Sequence, residues 1–136
     1  SNTPYLLTRS SELGCDTIFI GKSGDDLESI KNLISTAFDC DLIVTSGGVS
    51  VGEADFTKEA FSDLGMETIF SKVQVKPGKP TSFGKIKDTF VLNLPGNPLA
   101  SALNFDLFGK FLIRKLSGLN RPYHGYIKTK TSTQIN

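Results

Sequence analysis

The chain has no tryptophan, one methionine, one histidine and two cysteines among its 136 residues, and the scarcities narrow the chemistry. His124 stands alone in a polar tail, which argues against a zinc centre or a Ser-His-Asp triad. Cys15 and Cys40 lie far apart in sequence, with no Cys-x-x-Cys or Cys/His spacing, and read as buried free thiols in a reducing cytoplasm. No apolar run approaches the ~20 residues of a membrane span and no basic-then-apolar signal peptide opens the chain, so a cytoplasmic location and no membrane partner are expected. An excess of one charge is missing too. Fifteen basic residues against fourteen acidic ones leave a net charge of +1, too little for a field that attracts nucleic acid. An anionic ligand must therefore be held by local clusters.

Hydrophobic residues make up 38% and charged residues 21% of the chain, with ten phenylalanines, as expected of a soluble globular protein. The length fits one domain with its own core, read as residues 1–118. From Leu119 the composition turns polar, with the alternating Tyr126-Ile127-Lys128-Thr129-Lys130. Residues 119–136 read either as a linker and the first strand of a further β domain or as a disordered end.

Apolar runs alternate with amphipathic stretches along residues 1–118. Thr17-Ile18-Phe19-Ile20 and Leu42-Ile43-Val44 are short β-branched runs that read as buried parallel strands. Between them, Asp25-Asp26-Leu27-Glu28 has the Asp-x-x-Glu spacing of a capping box, and Leu27, Ile30, Leu33, Ile34 and Phe38 recur at helical spacing. At the front, Thr3-Pro4 places a capping residue before a proline suited to a first turn, so the chain starts with a helix that Gly14 ends. Further on, Phe56 to Leu64 reads as a helix, Thr68 to Val75 as a strand, Thr81 to Phe83 and Phe90 to Leu92 as two more, and Pro98 to Leu116 as one long amphipathic helix. The pattern predicts an α/β domain of three layers, with helices on both faces of a mostly parallel sheet.

In such sheets ligands bind at the carboxyl ends of the strands, and three unusual loops fall at such places. Thr45-Ser46-Gly47-Gly48-Val49-Ser50-Val51-Gly52-Glu53-Ala54-Asp55 follows the strand Leu42 to Val44. Its glycines let the backbone approach a ligand and turn N–H groups outward, while Ser46 and Ser50 add hydroxyls, a combination suited to an oxyanion. Taken alone, a structural turn explains this loop nearly as well, because it lacks the GxGxxG and GxxxxGK[ST] spacings. Lys76-Pro77-Gly78-Lys79-Pro80 holds two lysines in a segment stiffened by prolines between apolar strands, a costly arrangement without an anion to offset it. In Leu94-Pro95-Gly96-Asn97-Pro98, Asn97 can cap the last helix and Pro98 can occupy its first turn, or Gly96 and Asn97 can form another wall of the anion site. The three loops are expected to converge on one edge of the sheet.

Together TSGGVSVGEAD, KPGKP and LPGNP, in this order and separation, resemble the molybdopterin-binding domain of molybdopterin molybdenumtransferases, the MoeA and gephyrin-E family. The resemblance runs from about Ser1 to Gly118. Proteins of the MogA/MoaB type share that fold and the TSGG loop but usually continue it as TGxxxRD. The resemblance implies that an adenylylated pterin dithiolene, molybdopterin-AMP, binds here, that its phosphoanhydride is hydrolysed with help from Mg2+ or another divalent cation, and that molybdate is coordinated by the two sulfurs. It implies catalytic roles for Asp55, Lys76 and Lys79. Substrate contacts fall to Thr45, Ser46, Gly47, Gly48, Ser50, Gly52, Glu53, Lys72, Pro95, Gly96, Asn97 and Pro98, and metal contacts to Asp55 with Asp25 or Asp26. It also implies a homodimeric full-length protein and a possible MogA-like adenylyltransferase partner.

Each carboxylate has a competing reading from the residues themselves. Asp55 precedes Phe56 and can be the N-cap of that helix, Asp25 can cap the helix before it, and Lys72 can be a solvated strand residue. One departure from the family stands out: its members place a strand with a Thr-Gly-Asp-Glu-like turn before the first helix, and that strand is missing here. The chain therefore reads as a fragment, poorly active by itself. Three other functions stay open: a MogA-type pterin adenylyltransferase, a gephyrin-like scaffold, and a CinA-like nucleotide-processing protein of the same fold.

Overall fold

Every residue from Leu42 to Ser46 is buried, and a strand buried along its whole length needs cover on both faces. The structure, a computed structural model describing residues 2–22, 26–47, 54–71, 81–117 and 126–131, provides it with two helix layers. Leu42 and Val44 meet Leu6, Leu92, Phe105 and Ile113 on one face. Ile43 meets Ile30, Ile34, Ala60, Phe61 and Val91 on the other, as the two-residue period of a strand requires. The first layer holds α1 (Thr3–Glu12), α4 (Pro98–Asn104) and α5 (Lys110–Ser117); the second holds α2 (Leu27–Ser35) and α3 (Ala54–Asp63).

Between the layers lies a six-stranded sheet. Its strands are β1 (Asp16–Lys22), β2 (Leu42–Ser46), β3 (Glu67–Ser71), β4 (Ser82–Ile86), β5 (Thr89–Leu94) and β6 (Tyr126–Thr131), in the spatial order β1-β6-β2-β5-β4-β3. β1, β6, β2 and β5 run parallel, while β4 is antiparallel to both β5 and β3. The three-layer architecture and the mostly parallel sheet are those expected. This topology brings the carboxyl ends of β1, β6, β2, β5 and β3 and the start of β4 to one edge of the sheet.

Four local expectations are revised. The first helix begins at Thr3, so Asn2 rather than Thr3 is its N-cap residue and Pro4 sits in the first turn. At α2 the cap is Asp26, whose extended backbone lets its carboxylate accept from the Ser29 N–H at 2.7 Å; Asp25 lies outside the described residues. Asp55 lies inside the first turn of α3, which begins at Ala54, and so is not a cap preceding Phe56. The long last helix carries a π turn, Phe105–Gly109, between α4 and α5. Eight residues of α-helix overshoot two turns by about 80°, which would set Phe105 and Ile113 toward opposite margins of one apolar stripe. The wider π turn absorbs that excess, and both residues lie buried in the same cluster.

The chain end also differs from the reading of residues 119–136 as linker, separate domain or disordered end. Tyr126–Thr131 pairs with β1 on one side and β2 on the other, within this same sheet. A central strand has its backbone groups satisfied by both neighbours, so polar composition does not bar it from the position. Among the described residues no strand precedes α1.

Candidate functional site

The described ends of the glycine loop and the proline turn touch. Gly47 leaves β2 with φ 85°, a backbone region that glycine enters without strain, and its N–H donates to the Leu94 carbonyl at 3.0 Å. A Cβ on Gly96 would stand 3.3 Å from the Gly47 Cα, so the close approach of the two loops depends on a residue without a side chain. Pro95 is buried beneath this junction, while Gly96, Asn97 and Pro98 are exposed. Asn97 does cap α4, accepting from the Ala100 N–H at 3.0 Å, with Pro98 in the first turn.

Asn2 ties a third element to the junction. Its Nδ2 donates to Ser46 Oγ at 2.6 Å and to the Gly96 carbonyl at 3.0 Å, so α1 is pinned to both loops by one amide. The side chain makes no capping bond to its own helix. Ser46 Oγ lies 3.5 Å from Ser101 Oγ on α4. Thr45 Oγ1 donates to Asn93 Oδ1 at 2.5 Å. Thr45 and Ser46, expected to face a ligand, are only 1% and 4% exposed, and their hydroxyls bond to Asn93 and Asn2 at the carboxyl end of β2.

The remaining expected residues are placed by their neighbours in the chain or not at all. Gly48, Ser50, Gly52, Glu53, Lys72, Lys76, Lys79 and Asp25 lie outside the described residues, as does the side chain of Asp55. Lys72, Lys76 and Lys79 are bracketed by Ser71 and Thr81, and Ser71 pairs with Ser82 at the edge where Ser82 pairs with Asn93. α2 and α3 follow β1 and β2 and start from that same edge, which positions Asp26 and Asp55 there by topology. The Asp26 carboxyl is held below its ordinary range, first by the Ser29 backbone N–H and then by the Ser29 hydroxyl. Among the described residues no three His, Cys, Asp or Glu side chains group closely enough to hold a metal ion. Nor is any described helix long and apolar enough to cross a membrane.

Sequence reasoning missed Asn2, Ser101 and Asn93. Asn93 did leave a trace, as the one amide in the apolar run Phe90-Val91-Leu92-Asn93-Leu94. Asn2 left none, because Thr3-Pro4 reads as the start of the helix and draws the capping assignment to Thr3.

Comparison with known proteins adds the family context. The family described as "Probable molybdopterin binding domain" matches residues 1–115. A molybdopterin molybdenumtransferase of Haemophilus influenzae is 43% identical over 108 residues, covering 79% of this chain and 26% of that protein. The molybdenum cofactor synthesis protein cinnamon of Drosophila melanogaster is 34% identical over 122 residues, covering 89% of this chain and 20% of its own length. Among solved structures, the molybdopterin biosynthesis MoeA protein of Pyrococcus horikosii matches with a TM-score of 0.70 at 38% identity, over 80% of this chain and 27% of that one. The chain thus spans about a quarter of the relatives it matches.

Proposed function

The chain belongs to the molybdopterin-binding domain family of molybdenum cofactor biosynthesis, and from that premise we propose that it binds adenylylated molybdopterin at the carboxyl edge of its sheet and takes part in molybdate insertion. The observation that carries the reading is the junction of Gly47, Gly96 and Asn2, which joins the entry of the glycine loop to the proline turn. Ser71 ends β3 and Thr81 immediately precedes β4, so the residues flanking the lysine segment lie at the same edge. Lys76 and Lys79 hold the phosphate or molybdate oxygens by charge-assisted hydrogen bonds, with Lys72 adding positive charge. In the hydrolytic step a water oxygen bonds to one phosphorus of the phosphoanhydride, the bridging oxygen leaves with the other, and AMP is released.

Mg2+ or another divalent cation is the proposed cofactor, supplying charge neutralisation at the phosphates. Asp55 and Asp25 are the better candidates to hold it, because the Asp26 carboxylate is taken up by Ser29 at 2.7 and 3.1 Å. The proposed setting is a cytoplasmic homodimer that receives its pterin from a MogA-like adenylyltransferase. A dimer is supported by a row of exposed apolar side chains along one helix face: Leu99, Leu103, Leu107 and Phe111, each between 42% and 63% exposed.

Calorimetric titration of the purified chain with molybdopterin-AMP tests the reading. Lys76→Ala/Lys79→Ala is expected to weaken binding by about 1.5–3 kcal/mol for each lost charge-assisted bond. Unchanged affinity in the double variant refutes the assignment.

A further inference from the structure

α3 starts at the carboxyl edge of the sheet and buries Thr57, Ala60 and Phe61. Phe56 is one residue before Thr57, so the helix turns it about 100° away from that inward direction. It is 47% exposed. The flank it occupies is fixed by an ion pair further along the helix. Asp63, seven residues on, lies within about 20° of Phe56 around the helix axis. Its Oδ2 is 3.6 Å from Lys31 Nζ of α2. Phe56 therefore stands on the α2 side of α3, while Lys58 and Ser62 take the other flank with Ser82 and Asn93.

Height decides what can cover the ring. α2 and α3 follow parallel strands, start from the same edge and run the same way. Seven residues of helix set Phe56 about 10 Å above Asp63, whereas Leu27, the first residue of α2, is only about 6 Å above Lys31. Side chains on a helix also lean toward its N-terminus. The ring is thus carried past the start of α2 and out to the ligand edge. Tyr5 bonds to Asp106, and Phe111 lies beneath Lys115 Nζ, but among the described residues no ring or cation meets Phe56.

A single exposed apolar side chain is ordinary on a protein surface. One that is aromatic, bare and carried to the edge where a phosphorylated ligand is proposed to bind presents a flat face, the complement of a planar heteroaromatic ring. We infer that Phe56 is a specificity-determining residue, the platform on which a ring of the ligand stacks while its phosphates are held at the same edge. The inference rests on the binding reading above. An adenylylated pterin offers two such rings, pterin and adenine, and both meet a phenyl face by the same chemistry.

The test is an NMR titration of the purified chain with AMP, neopterin monophosphate and ribose 5-phosphate, the last of which carries a phosphate but no aromatic ring. At least one ringed phosphate is expected to move the Phe56 ring protons upfield, the mark of a stacked ring. Phe56→Ala should weaken that ligand roughly tenfold or more, with ribose 5-phosphate unaffected and the melting temperature little changed. Phe56→Leu, which keeps apolar surface but loses the flat face, should weaken it nearly as much, and Phe56→Tyr should bind as wild type does. The ringed phosphate whose affinity depends on Phe56 identifies the stacked ring as adenine or pterin. Wild-type affinity of Phe56→Ala for both ringed phosphates overturns the inference and leaves the proposed function standing. So does an equal loss for ribose 5-phosphate, which makes the effect of Phe56 structural. Failure of all three to bind the wild-type chain at millimolar concentrations overturns the proposed function and this inference with it.

Discussion

Asn2 is the residue whose replacement most directly tests how the site is assembled. Its amide donates to Ser46 Oγ at 2.6 Å and to the Gly96 carbonyl at 3.0 Å while leaving its own helix uncapped. Asn2→Ala deletes both bonds. Neutral hydrogen bonds contribute ~0.5–1.5 kcal/mol each, and the Gly96 carbonyl can recover water, so the expected loss is about 1–2 kcal/mol. For a domain of this size that lowers Tm by roughly 3–8 °C. Asn2→Asp is the discriminating variant. Aspartate is as good an N-cap as asparagine, and it gains from the helix dipole, so a capping role predicts wild-type stability. It has no hydrogens to donate, however, and it would set a carboxylate against the Gly96 carbonyl. A bridging role therefore predicts that Asn2→Asp melts below wild type, because the Gly96 carbonyl loses its donor even where the Ser46 hydroxyl turns to donate to the carboxylate. Calorimetric melting of the three proteins, with amide hydrogen exchange at Gly47 as the local readout, decides between them. Melting of Asn2→Asp at the wild-type temperature, with Gly47 exchange unchanged, refutes the bridge.

Three further outcomes are expected. Gly96→Ala brings a methyl group 3.3 Å from the Gly47 Cα, and the forced separation of the two loops should cost about 1 kcal/mol, read as a Tm lowered by a few degrees. Burial, reinforced by Asp16 and Asp41, pushes the Cys15 thiol up to about 11 from 9.0. Alkylation of Cys15 in the folded chain should be far slower at pH 8–9 than in the unfolded chain, and because the unfolded thiol ionises first, stability should fall as pH rises from 9.0 toward 11. The depressed Asp26 carboxyl makes the opposite contribution, present above the unfolded value of 3.8 and lost as the pH falls through the lower folded value. Urea unfolding of wild type and Asp26→Ala between pH 7 and pH 2 should therefore converge at the acid end.

The fold was legible where burial dictates residue type. Leu42 to Val44 had to be a covered strand because no polar residue interrupts it, and Ile30 and Ile34 had to face a core because their spacing puts them on one side of a helix. Legibility failed where one residue could satisfy either of two adjacent backbones, as with Asp25 and Asp26, and where a helix changed pitch, as at Phe105–Gly109. β6 was misread because polar alternation is equally natural to an edge, a tail and a strand enclosed by neighbours.

The site was legible in a different sense. Strand-helix alternation sufficed to send the loops to one edge, since every parallel strand must end on the side where its crossover helix begins. It could not say which way a hydroxyl turns. Thr45 and Ser46 have the same inventory of donors and acceptors whether they meet a phosphate or another strand, and their partners, Asn93 and Asn2, are supplied by strand register and by a helix start more than forty residues away. Glycine carries no such ambiguity. A Cβ on Gly96 would stand 3.3 Å from the Gly47 Cα, and the hydroxyls of Thr45 and Ser46, the two residues before Gly47, are buried and bonded to Asn93 and Asn2. On the proposed function, Thr45 and Ser46 would act on the ligand through the backbone of Gly47 that they precede. Replacing Ser46 with alanine should loosen the Gly47 amide before it removes any contact to an anion.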